Sequence, residues 1–228
     1  MRKRFLPTFL LLLLSMCGLQ GCKEHKLDTV FNEDMLGANL RYFESVAGIP
    51  RRSFDYTYSQ THVFIVDGCT VEATEYKGVV TSLSLELNDS CHADLTSFLG
   101  EFAPKGPAPL TFGDFSELRF AASCLESCGN AYDPSVYAFW SGPRAVNNIS
   151  IKLEASTASA DALDASMQWA AVMKKSRDQD YIIDTKFNCD ALFNEEAVKL
   201  FESVNVSKIT LGGDVDDDDI LHRSCDEQ

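Results

Sequence analysis

The stretch Val63–Leu87, with the sequence VFIVDGCTVEATEYKGVVTSLSLEL, contains three strand-like runs separated by two short turn signals. Asp67-Gly68 is a pair typical of a two-residue hairpin turn, and Lys77-Gly78 marks a second turn. From Leu83 to Leu87, leucines alternate with polar residues, which is typical of a strand with one buried face. The stretch therefore predicts an antiparallel meander of three strands.

The segments on either side of this meander predict helices and further strands. Before it, apolar residues recur at helical spacing over residues 33–47 and predict an amphipathic helix that ends at Gly48. After it, one helix is predicted to follow Ser159 as its cap, and another to open at Asn194. Alternating or continuous apolar runs predict further strands at 118–122, 136–140, 149–153, 181–187 and 206–211. Helices and antiparallel strands are interleaved without a parallel βαβ rhythm, so the predicted class is α+β, with helices packed on antiparallel sheets.

A cluster of three prolines and a glycine between residues 103 and 110 predicts a linker. It divides the chain into two sub-structures, a helix plus meander over 31–103 and a second α+β unit over 110–228 that ends in an acidic segment. Residues 22–30 are polar and predict a short tether in front of the first unit.

The composition excludes several classes of protein. The chain has 228 residues, of which 45% are hydrophobic and 24% charged, so it has enough apolar material for a folded core and is not disordered as a whole. Lys and Arg number 20 against 34 Asp and Glu, a formal net charge of −14. A nucleic-acid binder needs a basic face, so no nucleic-acid partner is expected.

The N-terminus has the pattern of an export signal. Three basic residues, Arg2 to Arg4, precede a short apolar region from Phe5 to Leu14. That region is too short to span a bilayer, which takes roughly 20 apolar residues. The pattern therefore predicts a signal peptide over residues 1–21.

The segment that follows, Leu19-Gln20-Gly21-Cys22, resembles the lipobox of bacterial lipoproteins, although Gln20 departs from the small or β-branched residue usual at its position. The resemblance implies that the Cys22 thiol receives a diacylglycerol, that a dedicated peptidase cuts before it, and that the new amine is acylated, with chains such as palmitate. Lys23 replaces the aspartate common in lipoproteins retained at the inner membrane. The resemblance therefore implies a lipid anchor in the outer membrane, facing the periplasm. The alternative is an ordinary secretory signal that leaves a soluble protein with a spare thiol.

Removal of residues 1–21 takes away three basic residues and leaves 17 basic against 34 acidic ones, a charge of −17. Such a field attracts cationic partners at low salt, mainly by raising the rate of encounter. The alternative is a charge that serves solubility.

The remaining cysteines agree with an exported protein. Besides Cys22 the mature chain has six, an even number that favours three disulfides among fifteen possible pairings. The predicted pairs join cysteines that local structure brings close or that pin the acidic tail to the body. They are Cys69 with Cys91, Cys124 with Cys128, and Cys189 with Cys225. The three residues between Cys124 and Cys128 are one too many for a thioredoxin-type dithiol, so a structural loop is expected there.

The order of helix and then antiparallel meander is similar to that of small outer-membrane assembly lipoproteins of the SmpA/OmlA type. Gly48-Ile49-Pro50 stands where their helix-to-sheet turn often carries glycine and proline. The similarity concerns the order of elements, and it implies no functional residue.

One acidic run offers a candidate metal site. Asp214, Asp216 and Asp218 alternate in a run of aspartates and carry the oxygen ligands that Ca²⁺ prefers. The EF-hand glycine and the distal bidentate glutamate are missing, so a solvated acidic segment is the preferred interpretation and no metal or other cofactor is predicted.

Enzyme signatures are absent from the sequence: it contains no nucleophile elbow, phosphate loop, dinucleotide fingerprint or zincin motif. We therefore expect a non-catalytic binding or scaffold protein of the cell envelope, with an envelope protein as partner. One alternative is an inhibitor of a cationic wall-degrading enzyme such as lysozyme, because a short Cys124–Cys128 loop resembles that of periplasmic lysozyme inhibitors. This loop contains Glu126 where that family presents a histidine. A periplasmic hydrolase is a weaker alternative, since catalytic groups converge in space and not in sequence.

Overall fold

The chain is described from a computed structural model, which covers residues 26–92, 94–105, 109–125, 135–140, 149–155, 159–213 and 215. Within these ranges, the helices lie on an antiparallel sheet of eight strands, which confirms the predicted α+β class. Among the described helices, none is long and apolar enough to cross a bilayer.

The sheet has the strand order β1-β2-β3-β4-β8-β7-β6-β5, and every neighbouring pair is antiparallel. Its strands are β1 (Arg52–Asp55), β2 (Gln60–Val66), β3 (Cys69–Tyr76), β4 (Val79–Glu86), β5 (Arg119–Ala122), β6 (Val136–Trp140), β7 (Ser150–Ala155) and β8 (Lys208–Gly212). Two meanders, β1–β4 and β5–β7, are joined by β8, which pairs with β4 on one side and β7 on the other. The two predicted sub-structures therefore contribute to one continuous sheet.

The predicted meander is confirmed, and its turns show why it forms. Asp67 and Gly68 have φ angles of 50° and 89°, and Lys77 and Gly78 have 52° and 81°. Positive φ at both central residues is the geometry of a type I′ turn, whose twist matches that of the flanking strands. Glycine adopts this conformation at little cost, so each Xaa-Gly pair fixes the register of its hairpin.

One row of apolar residues crosses the sheet from β2 to β5. Each member of the row is the register partner of the next, and all are buried. In strand order the row is Phe64, Val71, Leu85, Ile209, Leu153, Ala138 and Phe120. Because these side chains share one face, the sheet buries that face against the helices.

The helices are α1 (Lys26–Val30), α2 (Leu40–Ala47), α3 (Thr96–Leu99), α4 (Ala160–Met173), α5 (Gln179–Ile183) and α6 (Asn194–Phe201). At one end of the row, Phe43 of α2 packs edge-on against Phe64, with ring centroids 5.1 Å apart. At the other end, Trp169 of α4 and Phe201 of α6 pack on Phe120, with centroids 6.3 and 5.2 Å away. Two groups of helices therefore cover the same face of the sheet.

The helix predicted over residues 33–47 is shorter than expected. A 3-10 turn occupies Glu33–Met35, and α2 begins only at Leu40, with the Asn39 side chain accepting from the Arg41 amide at 3.0 Å. Gly37, at φ 81°, interrupts the helix and donates its amide to the Val80 carbonyl at 2.8 Å. The break thus lets the chain bond to β4, while the end at Gly48 is as predicted.

The strand predicted over 181–187 is wrong. This segment forms α5 and a 3-10 turn at Lys186–Asn188. Asp178 caps α5 by accepting from the Tyr181 amide at 2.9 Å, and Thr185 adopts a left-handed conformation between the two turns. Tyr181 and Phe187 are both buried by tertiary packing. Their apolar side chains serve this packing, and their spacing in the sequence only resembles the alternation of a strand.

Two predictions at helix starts also need correction. Ser159 occupies the N-cap of α4 as expected, but its side chain makes no capping hydrogen bond. Residues 26–30 of the predicted tether form α1, whose Leu27 and Val30 are buried. The part of the predicted tether that precedes α1, residues 22–25, lies outside the described ranges.

A substitution at Gly212, the last residue of β8, tests how closely β8 approaches β4. A Cβ atom at Gly212 would lie 2.5 Å from the Thr81 carbonyl oxygen, whereas one at Gly213 would meet nothing within 4 Å. We expect Gly212→Ala to lower the free energy of unfolding by about 1–3 kcal/mol, because backbone must shift to admit the methyl group. Gly213→Ala is the matched control and should change it by less than about 0.5 kcal/mol. Urea unfolding followed by circular dichroism measures both, and equal stability of the two variants would contradict the close approach.

Candidate functional site

The predicted disulfide between Cys69 and Cys91 is present, with an S–S distance of 2.16 Å and a Cα–Cα distance of 5.5 Å. It joins the first residue of β3 to the loop that follows β4. Cys124 and Cys189 are also in disulfides. Their predicted partners, Cys128 and Cys225, lie outside the described residues, so these two pairings stay predictions.

A cleft of about 440 Å³ opens beside the Cys69–Cys91 bridge. Its walls come from the loop after β4, the proline-rich linker and the chain leading into β8. They include Leu87, Cys91, Pro104, Leu110 and Ser207. We call this the acidic cleft. Its volume falls within the range of roughly 300–1,000 Å³ that is common for ligand pockets.

The floor of the acidic cleft is apolar and its rim is polar. Leu95, Val206 and Ile209 are buried in the floor. Asp89, Asp94 and Asp114 are exposed on the rim, where His92 and Asn205 also lie. An apolar floor below three carboxylates suits a ligand with an apolar body and a positive charge.

Hydrogen bonds fix the charge of one rim carboxylate. The Thr96 side chain and the Thr96 amide both donate to Asp94, the amide at 2.8 Å, and they lower the pKa of the Asp94 carboxyl below its ordinary value. Asp94 is therefore ionised at neutral and mildly acidic pH. This makes it suited to binding a cation and not to donating a proton.

Backbone bonds hold the cleft walls in place. The Asn88 side chain accepts from the Ser90 and Cys91 amides at 2.9 and 3.1 Å, which fixes the loop after β4. The Leu87 amide donates to the Ser207 carbonyl at 2.7 Å, so this wall is tied to the chain entering β8. The cleft is therefore largely formed before any ligand binds.

The two edges of the sheet differ. Along β5, the Asn188 side chain accepts from the Ala122 amide at 3.0 Å and donates to the Ala122 carbonyl at 2.9 Å. The Asn194 side chain accepts from the Phe120 amide at 2.7 Å and donates to the Leu118 carbonyl at 2.8 Å. Two asparagine side chains thus take the place of a neighbouring strand, and Asn194 serves β5 rather than capping α6. At the other edge, β1 pairs with β2 alone and all four of its residues are exposed.

The face of the sheet opposite the helices carries a charge cluster on the central strand. Lys208 of β8 donates to Glu72 of β3 at 2.7 Å, and its register partners are Glu86 and Glu154. Burial acts to lower the pKa of the Lys208 ammonium, but the Glu72 hydrogen bond and the charges of Glu154 and Glu86 outweigh it and raise the pKa. Lys208 is therefore the cation around which three carboxylates are arranged.

A serine and a histidine meet on β1 and β2. Ser53 Oγ lies 2.8 Å from His62 Nδ1, and the buried His62 Nε2 has no hydrogen-bond partner within the described residues. In a catalytic triad, the serine bonds one ring nitrogen and a carboxylate orients the ring through the other. Within the described ranges, this pair has no such carboxylate, and the hydrolase alternative gains no further group from it.

Several residues that the sequence singled out lie beyond the described ranges. They are Cys22, Glu126, Cys128, Asp214, Asp216, Asp218 and Cys225. Among the residues that are described, no cluster of three His, Cys, Asp or Glu side chains could hold a metal ion. The lipid anchor, the inhibitory loop and the calcium alternative therefore stay predictions.

Sequence reasoning missed the acidic cleft. Its lining comes from segments more than 100 residues apart, such as Leu87 and Ser207, and their contact depends on β8 lying next to β4. Asn88 carried the one local signal, because an asparagine followed by Asp-Ser is typical of a turn.

The chain matches no family model, no curated protein and no solved structure.

Lys208→Met tests the charge cluster. Removing the ammonium leaves Glu72 and Glu86 without this cation, while Glu154 keeps Lys152 at 3.7 Å. We therefore expect the free energy of unfolding at pH 7 to fall by about 1–3 kcal/mol. A pKa that is raised on folding gives stability below the ordinary lysine pKa, and this stability is lost as pH rises above it. The difference from wild type should therefore shrink above the ordinary value of 10.5.

Lys199→Met, on the exposed surface of α6, is the control and should be near neutral. Thermal unfolding at pH 7 and at alkaline pH measures both variants. A Lys208→Met protein as stable as wild type at pH 7 would show that the cluster contributes nothing.

Proposed function

We propose that the chain is an exported, lipid-anchored protein of the cell envelope that binds a cationic, partly apolar ligand or protein segment without catalysis. The observation that carries the proposal is the acidic cleft, with its apolar floor and three rim carboxylates. The anchor follows from the resemblance of Leu19–Cys22 to a lipobox.

The charge of the whole chain supports a cationic ligand. The mature part has twice as many acidic as basic residues, 34 against 17. A field of this sign raises the rate at which cations arrive, and a concave site concentrates that field. The rim carboxylates would then pair with the positive groups while the floor covers apolar ones.

The disulfides support an exported protein that presents a rigid site. Disulfides persist in oxidising compartments and are rare in the cytosol of most organisms. Here one bridge closes the cleft wall at Cys91, and Cys124 and Cys189 are oxidised as well. A wall fixed in advance loses little conformational entropy when a ligand binds.

Binding of the tetrapeptide amide Leu-Lys-Leu-Lys to the mature protein in neutral detergent tests the cleft. We expect Asp89→Asn with Asp94→Asn to weaken binding by roughly two- to fivefold per carboxylate, because each exposed ion pair contributes little alone. Asparagine keeps an oxygen that can accept the Thr96 amide bond. Calorimetry at low and high salt is the measurement.

The matched control, Asp164→Asn with Glu195→Gln, removes the same charge from the exposed surfaces of α4 and α6. If this control weakens binding as much as the cleft variant, the peptide responds to net charge and not to the cleft. Absence of binding to the wild-type protein would also count against the proposal.

The anchor has a separate test. Intact mass of the protein extracted from membranes should exceed the mass of residues 22–228 by a diacylglyceryl group and one acyl chain, and Cys22→Ser should abolish this increase. Two or more acyl chains hold a protein on a membrane durably, so the wild-type protein should stay on washed membranes. A wild-type protein without the added mass of the acyl chains would falsify the anchor.

A further inference from the structure

We propose that the end of the fold nearest the anchor, formed by Lys26, Ile49, Arg51 and Arg52, rests on the phospholipid surface and sets the orientation of the protein on it. We call these four residues the anchor end. The inference rests on the proposed acylation of Cys22 and goes beyond it, because a lipid anchor alone does not fix which side of a protein faces the bilayer.

The chain between the anchor and the fold is short. Helix α1 begins at Lys26, four residues after Cys22. Four extended residues span at most about 14 Å, at roughly 3.5 Å each. The start of α1 must therefore stay close to the headgroups whatever the conformation of residues 23–25.

Two hydrogen bonds fix the position of the start of α1. The Lys26 ammonium donates to the Ala47 carbonyl at 2.9 Å, at the last residue of α2. The Leu27 amide donates to Asp67 in the β2–β3 turn at 3.1 Å. Two independent bonds thus place the start of α1 at one end of β2, beside the chain that leaves α2.

The segment that follows α2 presents one apolar side chain and two cationic ones to solvent. Ile49 follows the Gly48 cap of α2 and is 91% exposed. Among the described large apolar side chains, this is the largest exposed fraction. Arg51 and Arg52 come next and are both exposed. The Arg51 amide bonds the Val63 carbonyl at 2.7 Å, which holds this segment against β2.

An exposed aliphatic side chain beside two arginines fits a phospholipid surface. The aliphatic group can enter the boundary between headgroups and acyl chains, while cationic groups pair with the phosphates of an anionic surface. The rest of the mature chain is strongly acidic and is repelled by the same surface. At the anchor end three cations, Lys26, Arg51 and Arg52, stand against the carboxylate of Asp67, and their attraction to the phosphates favours one orientation.

Tryptophan fluorescence tests the contact. The chain has two tryptophans, Trp140 and Trp169, and both are buried. Ile49→Trp adds an exposed one at the anchor end. We take the emission of this added tryptophan as the difference between the variant and the wild-type protein. In the acylated mature protein on vesicles of phosphatidylethanolamine and phosphatidylglycerol, we expect it to fall at least about twofold when brominated phosphatidylcholine is included.

Leu192→Trp is the control. Leu192 is 57% exposed and lies two residues before Asn194, which bonds β5 at the opposite edge of the sheet. Seven strand spacings of about 4.8 Å separate that edge from β1, so Leu192→Trp should not be quenched. Adding Arg51→Glu and Arg52→Glu to Ile49→Trp should reduce its quenching, most strongly at low salt.

The outcomes separate the docking proposal from the anchor proposal. If mass shows acyl chains and the protein sediments with vesicles, but Ile49→Trp is not quenched, docking is overturned and the anchor stands. Equal quenching of Ile49→Trp and Leu192→Trp would mean that the body has no fixed orientation, which also overturns docking. Absence of acyl chains on Cys22 would overturn both proposals.

Discussion

The pairing of β8 between β4 and β7 is the constraint on which the rest of the structure depends. This five-residue strand completes a sheet whose other seven strands come from two separate meanders. Its Ile209 and Leu211 are fully buried, and Thr210 shares a buried hydrogen bond of 2.9 Å with Ser84, 126 positions away. Without β8, both β4 and β7 would become edges with unpaired backbone groups.

The position of β8 also produces the features with functional interest. The chain that enters β8 forms one wall of the acidic cleft. Lys208, the first residue of β8, pairs with carboxylates on the face of the sheet opposite the helices. The cleft therefore exists only in the completed sheet. The last described strand in sequence, β8, lies at the centre of the sheet. The two meanders can therefore join only after β8 is in place, and contacts of such long range are slow to form.

Local features could be predicted from sequence, and features set by distant contacts could not. Asp67-Gly68 and Lys77-Gly78 determine their hairpins through backbone conformation alone, so the meander and the Cys69–Cys91 bridge follow from a short window. The alternation at 181–187 misled because Tyr181 and Phe187 are buried by aromatic packing, Phe187 against Trp169 and Tyr181 against Phe187 and Phe193. The local signal against a strand was Asp178, which caps α5. For the acidic cleft, no short window contains both walls.

The two asparagines along β5 have a consequence for how copies of this protein can meet. A sheet with two free edges can add neighbours on both sides and grow into a filament, because each addition leaves a new edge exposed. Here Asn188 and Asn194 occupy the bonding positions of one edge, and only β1 offers an unpaired one among the described strands. Among the described strands, addition between copies can therefore join β1 to β1 and then stops at a pair, which prevents growth into a filament.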